Sequence, residues 1–255
     1  MNDTIEHLAT LVREAVNITV LTGAGISTES GISDFRSPGG VWDRYNPDDL
    51  NFQSFLSSEE SRKIYWKFHR EFYLPMKLSK PNDAHYALAE LEQMGKLQCV
   101  ITQNVDNLHQ RAGSSPDKVI KIHGTACMVR CLACGATFDR EEIERRIDEG
   151  EEVPRCESCN GLLKPATVSF GQPMPEEETS RAFEMARSSD LFVVLGSSLV
   201  VYPAAQLPFE AINSGAKLAI INLTATPYDN YADVVIHAKC GETMKRMIEL
   251  VKGDT

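Results

Sequence analysis

No run of apolar residues in the 255-residue sequence approaches the roughly 18 needed to cross a bilayer as a helix. The first residues, Met1-Asn2-Asp3-Thr4-Ile5-Glu6, lack the basic n-region and apolar h-region of a secretion signal. The chain therefore reads as cytoplasmic with no membrane partner, and its seven cysteines are not read first as a disulfide framework. Cationic charge is short too. Against 36 Asp and Glu stand 26 Lys and Arg, a net charge of -10, which disfavours direct nucleic-acid binding and mildly favours a basic partner. Such a charge is also simply common among soluble proteins. Internal repeats and low-complexity runs are absent. An apolar fraction of 42% and a charged fraction of 24% suit one large domain, or a large domain with a small satellite.

One more lack falls in the stretch on which the chain is organised. Ile18 to Thr22 reads as a short buried strand by composition and length. Gly23-Ala24-Gly25 follows, and glycine lets backbone N–H groups approach an anion where a strand hands over to a helix, as pyrophosphate binding requires. A full dinucleotide fingerprint has a third glycine where Thr28 stands. Alone, a Gly-x-Gly after a strand is more often an ordinary turn. Asp34-Phe35-Arg36, in the Gly/Ser-rich loop beyond, is unusual for a bare connector.

Along the chain, Thr4–Val16 has the apolar spacing of an amphipathic helix, and Thr22 to about Asp49 looks loop-rich. Trp42 and Tyr45 favour an ordered, ligand-covering loop. From Ser58 to Leu78 aromatic residues recur at helical spacing, as core or groove wall. Asn82 caps a helix ended by Gly95. Strands are expected at 97–101 and 118–122, a short helix at 140–148, extended chain at 165–170 and a helix at 173–188. Strand and helix then alternate: 190–196, 203–213, 216–222, 233–237 and 242–251. This alternation implies an α/β fold, a Rossmann-like doubly wound parallel sheet with ligands beyond its carboxyl ends. Those ends carry Gly23-Ala24-Gly25, Gln103-Asn104-Val105-Asp106, His123, Gly196-Ser197-Ser198 and Asn222.

Cys131-x-x-Cys134 and Cys156-x-x-Cys159, with residues 135–155 between them, form a two-knuckle ribbon pattern. Each knuckle offers two sulfurs on one side, and two knuckles complete a tetrahedron around one structural Zn2+. A redox Cys-x-x-Cys is the alternative, but it needs no second copy. Zinc ribbons also bind nucleic acid, which the acidic linker (Glu141, Glu142, Glu144, Glu149, Glu151, Glu152) disfavours. Cys99, Cys127 and Cys240 read as unligated.

With these residues in view, the chain closely resembles a sirtuin of bacterial or archaeal type, an NAD-dependent protein-lysine deacylase. The matching segments are Gly23–Ser27, Gly31–Arg36, Gln103–His109, His123-Gly124, both cysteine pairs, Phe170-Gly171, Gly196–Leu199, Val201–Ala204 and Ile221-Asn222. They run through nearly the whole chain. The resemblance implies a Rossmann-like NAD-binding domain (1–40, 82–126 and 165–255), a helical cofactor-loop insertion (41–81) and a zinc-ribbon insertion (127–164). Gly23, Ala24, Gly25, Thr28, Asp34, Phe35 and Arg36 would line the NAD pocket, with Phe35 over the cleaved bond. Gln103 and Asn104 would hold the nicotinamide ribose, and Val105 and Asp106 the carboxamide. Gly196, Ser197, Ser198, Asn222, Leu223 and Cys240 would surround the adenosine end. Val168-Ser169-Phe170 would pair as a strand with substrate backbone.

By the same resemblance His123 is the general base and Asn104 its catalytic companion. The acyl oxygen of an acyl-lysine attacks ribose C1′ as nicotinamide leaves, and a histidine near its ordinary pKa of about 6.5 deprotonates a ribose hydroxyl. The products would be free lysine, nicotinamide and O-acetyl-ADP-ribose. On residues alone, His123 is also explained as a capping histidine at a strand end. The other functions weighed are a sirtuin-like ADP-ribosyltransferase or NAD hydrolase, and a non-catalytic NAD sensor.

Two departures from the family pattern matter. Gln172 stands where many members have glutamate, which bears on acceptor-peptide contacts. Members that prefer succinyl or malonyl lysine carry a Tyr-x-x-Arg pair after the loop. Here Trp66 and His69, or Tyr65 and Phe68 one residue away, occupy that place, and neither register supplies the arginine. Acetylated or other neutral acyl-lysine proteins are the expected partners.

Overall fold

The computed structural model describes residues 2–253. Met1 of the N-terminal stretch, and Asp254 and Thr255 of the 165–255 segment, lie outside the described residues. Among the described residues the strands are β1 (Ile18–Thr22), β2 (Leu97–Thr102), β3 (Val119–Lys121), β4 (Gly124–Cys131), β5 (Thr137–Asp139), β6 (Leu163–Thr167), β7 (Leu191–Leu195), β8 (Lys217–Ile221) and β9 (Val234–Ile236). The helices are α1 (Asn2–Glu14), α2 (Phe52–Ser57), α3 (Glu59–Leu78), α4 (Asp83–Gln93), α5 (Leu108–Arg111), α6 (Arg140–Asp148), α7 (Glu176–Ser188), α8 (Leu207–Asn213) and α9 (Cys240–Gly253).

Six strands form a parallel sheet in the order β3-β2-β1-β7-β8-β9. Its strands are apolar on both faces because helices cover both. Val20, Val100 and Val193 share a row and pack with α1, α4 and α9, while Leu21, Ile101 and Val194, one residue on, pack with α7 and α8. This period-two alternation buries two cores on one sheet. All six carboxyl ends consequently lie on one edge, as the strand-helix alternation implied.

Local chemistry sets several boundaries. Asn82 caps α4 by accepting from the Ala84 N–H at 3.0 Å, and His85 completes a capping box by accepting from the Asn82 N–H at 3.3 Å. Gly95, just beyond, takes a positive φ of 72°. The segment expected as helix from residue 203 opens instead with a 3-10 turn, Ala204–Gln206, before α8. The 22–49 region holds short 3-10 turns at Ala24–Ser30, Val41–Asp43 and Pro47–Leu50.

The cysteine-bearing segment contains a second sheet that the sequence did not reveal, antiparallel and ordered β5-β4-β6. Along β4 the buried positions are Ala126, Val129 and Cys131, and the register shifts between Gly124 and Val129. That irregularity removes the alternation by which a strand is recognised. No helix of the described residues is long and apolar enough to cross a membrane.

Candidate functional site

A cavity of about 430 Å³ opens at the carboxyl edge of the parallel sheet. Every residue expected above to act in catalysis, to bind cofactor or to bind substrate lines it. From the β1 side come Gly23, Ala24, Gly25 and Thr28, and from the loop over them Asp34, Phe35 and Arg36. The β2 end gives Gln103, Asn104, Val105 and Asp106, and β3 gives His123. Gly196, Ser197 and Ser198 follow β7, Asn222 and Leu223 follow β8, and Cys240 opens α9. Val168, Ser169 and Phe170 leave β6 on the side facing His123.

The glycines act differently from the anion-cradle reading. The Gly23 N–H donates to the Leu195 carbonyl at 3.0 Å and the Gly25 N–H to the Gly196 carbonyl at 2.9 Å. A Cβ on Gly25 would stand 2.7 Å from the Gly196 Cα. Close passage of two backbones at the switch point, where the chain leaves β1 and β7, thus requires both glycines. Gly196 itself sits at a positive φ of 63°.

Side-chain amides then stitch the strand ends together. Asn104 Nδ2 donates to the Gly23 carbonyl and to Ser27 Oγ, each at 3.1 Å, and Gln103 Nε2 donates to Ser197 Oγ at 2.9 Å. Among the described residues no donor reaches Asn104 Oδ1 or Gln103 Oε1, so both oxygens remain available to accept from hydroxyl groups. Ser27 Oγ donates to Asp106 Oδ2 at 2.7 Å, and the Leu108 N–H donates to Oδ1 at 2.9 Å. Burial raises the Asp106 pKa, with these hydrogen bonds opposing. Ser27, at the crossing of these bonds, was quoted in the sequence only as part of a motif; nothing in its type marks it.

His123 is held by one ring nitrogen. Nδ1 lies 3.0 Å from the Gln103 carbonyl, which can only accept, so Nδ1 carries the proton and Nε2 keeps its lone pair. Burial lowers its pKa below the ordinary histidine value, with the Gln103 bond opposing. The imidazole is therefore neutral at pH 7. Of the side chains lining the cavity, Arg36 and Lys239 are the cations, and the Arg36 guanidinium has no partner among the described residues. A cation free at the mouth, glycine-lined strand ends and unfilled amide acceptors suit a diphosphate joined to ribose hydroxyls.

The Val168–Phe170 segment departs from the extended strand expected over 165–170. Strand β6 ends at Thr167: the Val168 N–H makes the last ladder bond, to the His123 carbonyl at 2.9 Å, and Ser169 then closes onto Gln172. The Ser169 N–H donates to Gln172 Oε1 at 3.2 Å, and the Gln172 N–H returns to the Ser169 carbonyl at 3.0 Å. An amide oxygen thus closes this turn. The Val168 C=O and Phe170 N–H have no partner among the described residues, the i and i+2 pattern of a strand edge.

Helix α3 supplies the groove wall. Tyr65, Phe68, His69, Phe72, Tyr73 and Met76 line the cavity, whereas Trp66 is buried against the cysteine-bearing module beside Val129 and Ile143. Of the two registers considered from the sequence, Tyr65 and Phe68 both lie on this face, whereas of Trp66 and His69 only His69 does. No arginine or lysine of α3 lines the cavity: Lys63, Arg70 and Lys77 pair with Glu152, Glu144 and Glu141 at 2.7, 2.8 and 2.8 Å.

The four knuckle sulfurs, of Cys131, Cys134, Cys156 and Cys159, lie within 4.8 Å of one another. Cys131 Sγ is 3.5 Å from Cys159 Sγ, and Cys134 Sγ 3.8 Å from Cys156 Sγ. A tetrahedron with Zn–S of about 2.3 Å has sulfur–sulfur edges of about 3.8 Å, so the set fits zinc. Gly161 leaves room for it, since a Cβ there would stand 2.8 Å from Cys131 Sγ. Backbone N–H groups of Cys134 and Ala133 lower the Cys131 pKa to about 6, favouring the thiolate that binds metal. Cys99, Cys127 and Cys240 stand apart from the cluster.

Comparison with known proteins follows the same lines. The family model described as the Sir2 family matches residues 23–203. An NAD-dependent protein deacetylase 1 of Bradyrhizobium diazoefficiens is 45% identical over 240 residues, 94% of this chain and 93% of that protein. A solved Sir2 complex with p53 peptide and NAD+ matches with a TM-score of 0.88 and 39% identity, covering 98% of both chains. Another, holding a deacetylated p53 peptide and 3′-O-acetyl ADP ribose, matches with a TM-score of 0.90 and 40% identity over 96% of this chain and 97% of that one.

Proposed function

Because the chain belongs to the Sir2 family, we propose that it is an NAD-dependent protein-lysine deacetylase whose products are free lysine, nicotinamide and O-acetyl-ADP-ribose. The observation that carries this reading is His123, whose bare Nε2 belongs to a ring fixed where the β2 and β3 ends meet the Val168–Phe170 segment. NAD, when bound, supplies a nicotinamide–ribose bond whose cleavage opens C1′ to the acyl oxygen, and a ribose hydroxyl to receive the acyl group.

Each residue then has a task it is built for. Nε2 of His123 takes a ribose hydroxyl proton, and burial keeps it neutral for that purpose. Asn104 Oδ1 and Gln103 Oε1 accept from ribose hydroxyls, and Asn104 is held for this by Gly23 and Ser27. Val105 and Asp106 receive the carboxamide, with Asp106 fixed by Ser27 and Leu108. Arg36 meets the diphosphate, beside the loop that Asp34 closes by accepting from the Arg36 and Ser37 N–H groups. Phe35, packed on Trp42 with ring centroids 5.2 Å apart, covers the cleaved bond and keeps water from it. Gly23, Ala24, Gly25 and Thr28 form the floor, and Gly196, Ser197, Ser198, Asn222, Leu223 and Cys240 enclose the adenosine end.

Substrate peptide pairs with the Val168 C=O and Phe170 N–H. Zinc, held by Cys131, Cys134, Cys156 and Cys159, is structural, since four thiolates leave no open position. The absence of α3 cations from the cavity supports neutral acyl groups. The division into a Rossmann-like domain with insertions at 41–81 and 127–164, a cytoplasmic location and the lack of a nucleic-acid partner belong to the same reading.

The test is a panel of acetyl- and succinyl-lysine peptides incubated with and without NAD and read by mass spectrometry. Acetyl-lysine should be consumed only with NAD and faster than succinyl-lysine, and His123→Ala should abolish turnover while leaving NAD binding largely intact. Equal or faster succinyl turnover would refute the neutral-acyl assignment, and full activity of the variant would refute the role of His123.

A further inference from the structure

Two polar groups in the wall of the cavity have no task in the chemistry above. His69 and Tyr73 are four residues apart on α3, hence one above the other on a single face, and both line the cavity. Neither the His69 ring nitrogens nor the Tyr73 hydroxyl has a hydrogen-bond partner among the described residues. The rest of that wall is carbon-rich: Phe68, Phe72 and Met76. The two groups therefore form a polar island in an apolar wall, where an unpaired donor or acceptor costs stability unless something fills it.

Its position relative to substrate is fixed by Tyr65, one turn earlier. The Tyr65 hydroxyl hydrogen-bonds Ser169 Oγ at 2.8 Å, inside the segment read as the peptide edge, and the Tyr65 ring lies 4.4 Å from the His69 ring. His69 and Tyr73 thus stand about one and two turns along α3 from the residue that touches Ser169.

Both groups are uncharged. Burial keeps the His69 pKa well below its ordinary value, with the nearby Arg140 and Lys164 charges adding to the effect. The Tyr73 pKa is pushed up to about 12, chiefly by burial. A neutral imidazole has one donor and one acceptor nitrogen, and a phenol both donates and accepts. A hydroxyl also does both, so it can satisfy the pair reciprocally. A methyl can do neither, and a carboxylate can only accept. A carboxylate would also find no cation lining this wall to pair with directly. Arg140 is engaged by Glu144 at 2.6 Å, and the Lys164 ammonium donates to the Thr167 carbonyl at 2.6 Å.

We propose that His69 and Tyr73 form a subsite that recognises a hydroxyl on the acyl chain, making hydroxyacyl-lysines preferred substrates over their unsubstituted counterparts. This rests on the deacylase reading and deepens it. The probes are peptides of one sequence bearing acetyl-, butyryl- or 3-hydroxybutyryl-lysine, compared by kcat/KM with wild-type protein and with Tyr73→Phe and His69→Phe. Because the readout is a ratio, a general loss of activity in a variant cancels.

Wild-type protein should favour 3-hydroxybutyryl over butyryl by about two- to tenfold, the worth of one neutral hydrogen bond, and each substitution should bring the ratio to about one or below. Tyr73→Phe removes only an oxygen, so zinc content and melting temperature should stay near wild type. Turnover of acetyl-lysine with a wild-type ratio at or below one, or a ratio that neither substitution changes, overturns the subsite alone. No turnover of any of the three peptides overturns the deacylase reading and the subsite with it.

Discussion

The parallel sheet and the cysteine-bearing module are built from opposite materials, and α3, which walls the cavity at the sheet's edge, packs against the module. In the sheet, fully buried Ile, Val and Leu of β1, β2, β7 and β8 fill two apolar cores, and the ions stay outside. Along α3 the module is joined by charge. Lys63, Arg70 and Lys77, spaced seven apart, form one stripe that meets Glu152, Glu144 and Glu141, with Asp148 also on Arg70. Beneath the stripe Arg140 is fully buried, its guanidinium carbon 5.2 Å from the Trp66 ring and 4.8 Å from the Tyr73 ring. Trp66 and Tyr73 share this junction, and Tyr73 also lines the cavity. The sheet edge thus rests on apolar cores and a few side-chain hydrogen bonds, whereas the α3 wall of the cavity is tied to the cysteine-bearing module by ion pairs.

Zinc removal should break this symmetry most. Binding energy of a structural zinc is folding energy of its module, about 10–16 kcal/mol in small zinc domains, so Cys134→Ser or chelation should unfold 127–164 and loosen α3. Peptide turnover should fall more than about a hundredfold, while a cooperative melting transition of the sheet persists in calorimetry. Loss of both transitions together would contradict the separation. On the other side, Leu21→Ala should cost about 2–5 kcal/mol in denaturant unfolding. Its zinc content should stay stoichiometric.

A smaller effect probes the junction alone. Glu144 is part-exposed but accepts from both Arg140 and Arg70, so Glu144→Gln leaves a buried guanidinium without its counter-charge. A loss of about 2–3 kcal/mol is expected, below the 3–5 of a wholly buried pair. The KM for acyl peptide should rise more than that for NAD. Smallest is the effect of pH on the sheet-edge histidine. Because burial lowers the His123 pKa, its base form persists below pH 6.5 and is lost only as pH falls through that lowered value. The acid limb of kcat/KM should accordingly have its midpoint under 6.5; a midpoint above it would contradict the burial argument.

The same contrast decided what was legible in the sequence. Strands such as Ile18–Thr22 and Leu191–Leu195 are apolar throughout, and that composition is enough to place them, their alternation with helices and the polar residues at their ends. The knuckle spacing exposed the zinc site. Hidden were features that join distant segments. The cavity-facing side of α3 stayed open between two registers: Tyr65 and Phe68 line the cavity together, whereas Trp66, the bulkiest aromatic there, serves the module. The acidic linker read as mere repulsion of phosphate, yet Glu141, Glu144 and Glu152 meet cations more than sixty residues earlier in the chain. Gly23 and Gly25 were correctly placed at the cavity for a partial reason, since the backbone they approach, that of β7's exit, is not adjacent in sequence.

The account's central claim is that nicotinamide departure is coupled to capture by an acyl-lysine. Nicotinamide release by purified, zinc-loaded protein should therefore be measured with NAD alone and with NAD plus acetyl-lysine peptide. The account predicts release that depends on the peptide and equals the O-acetyl-ADP-ribose formed, one for one. Equal release without peptide, or release with no acetylated ADP-ribose, would contradict it.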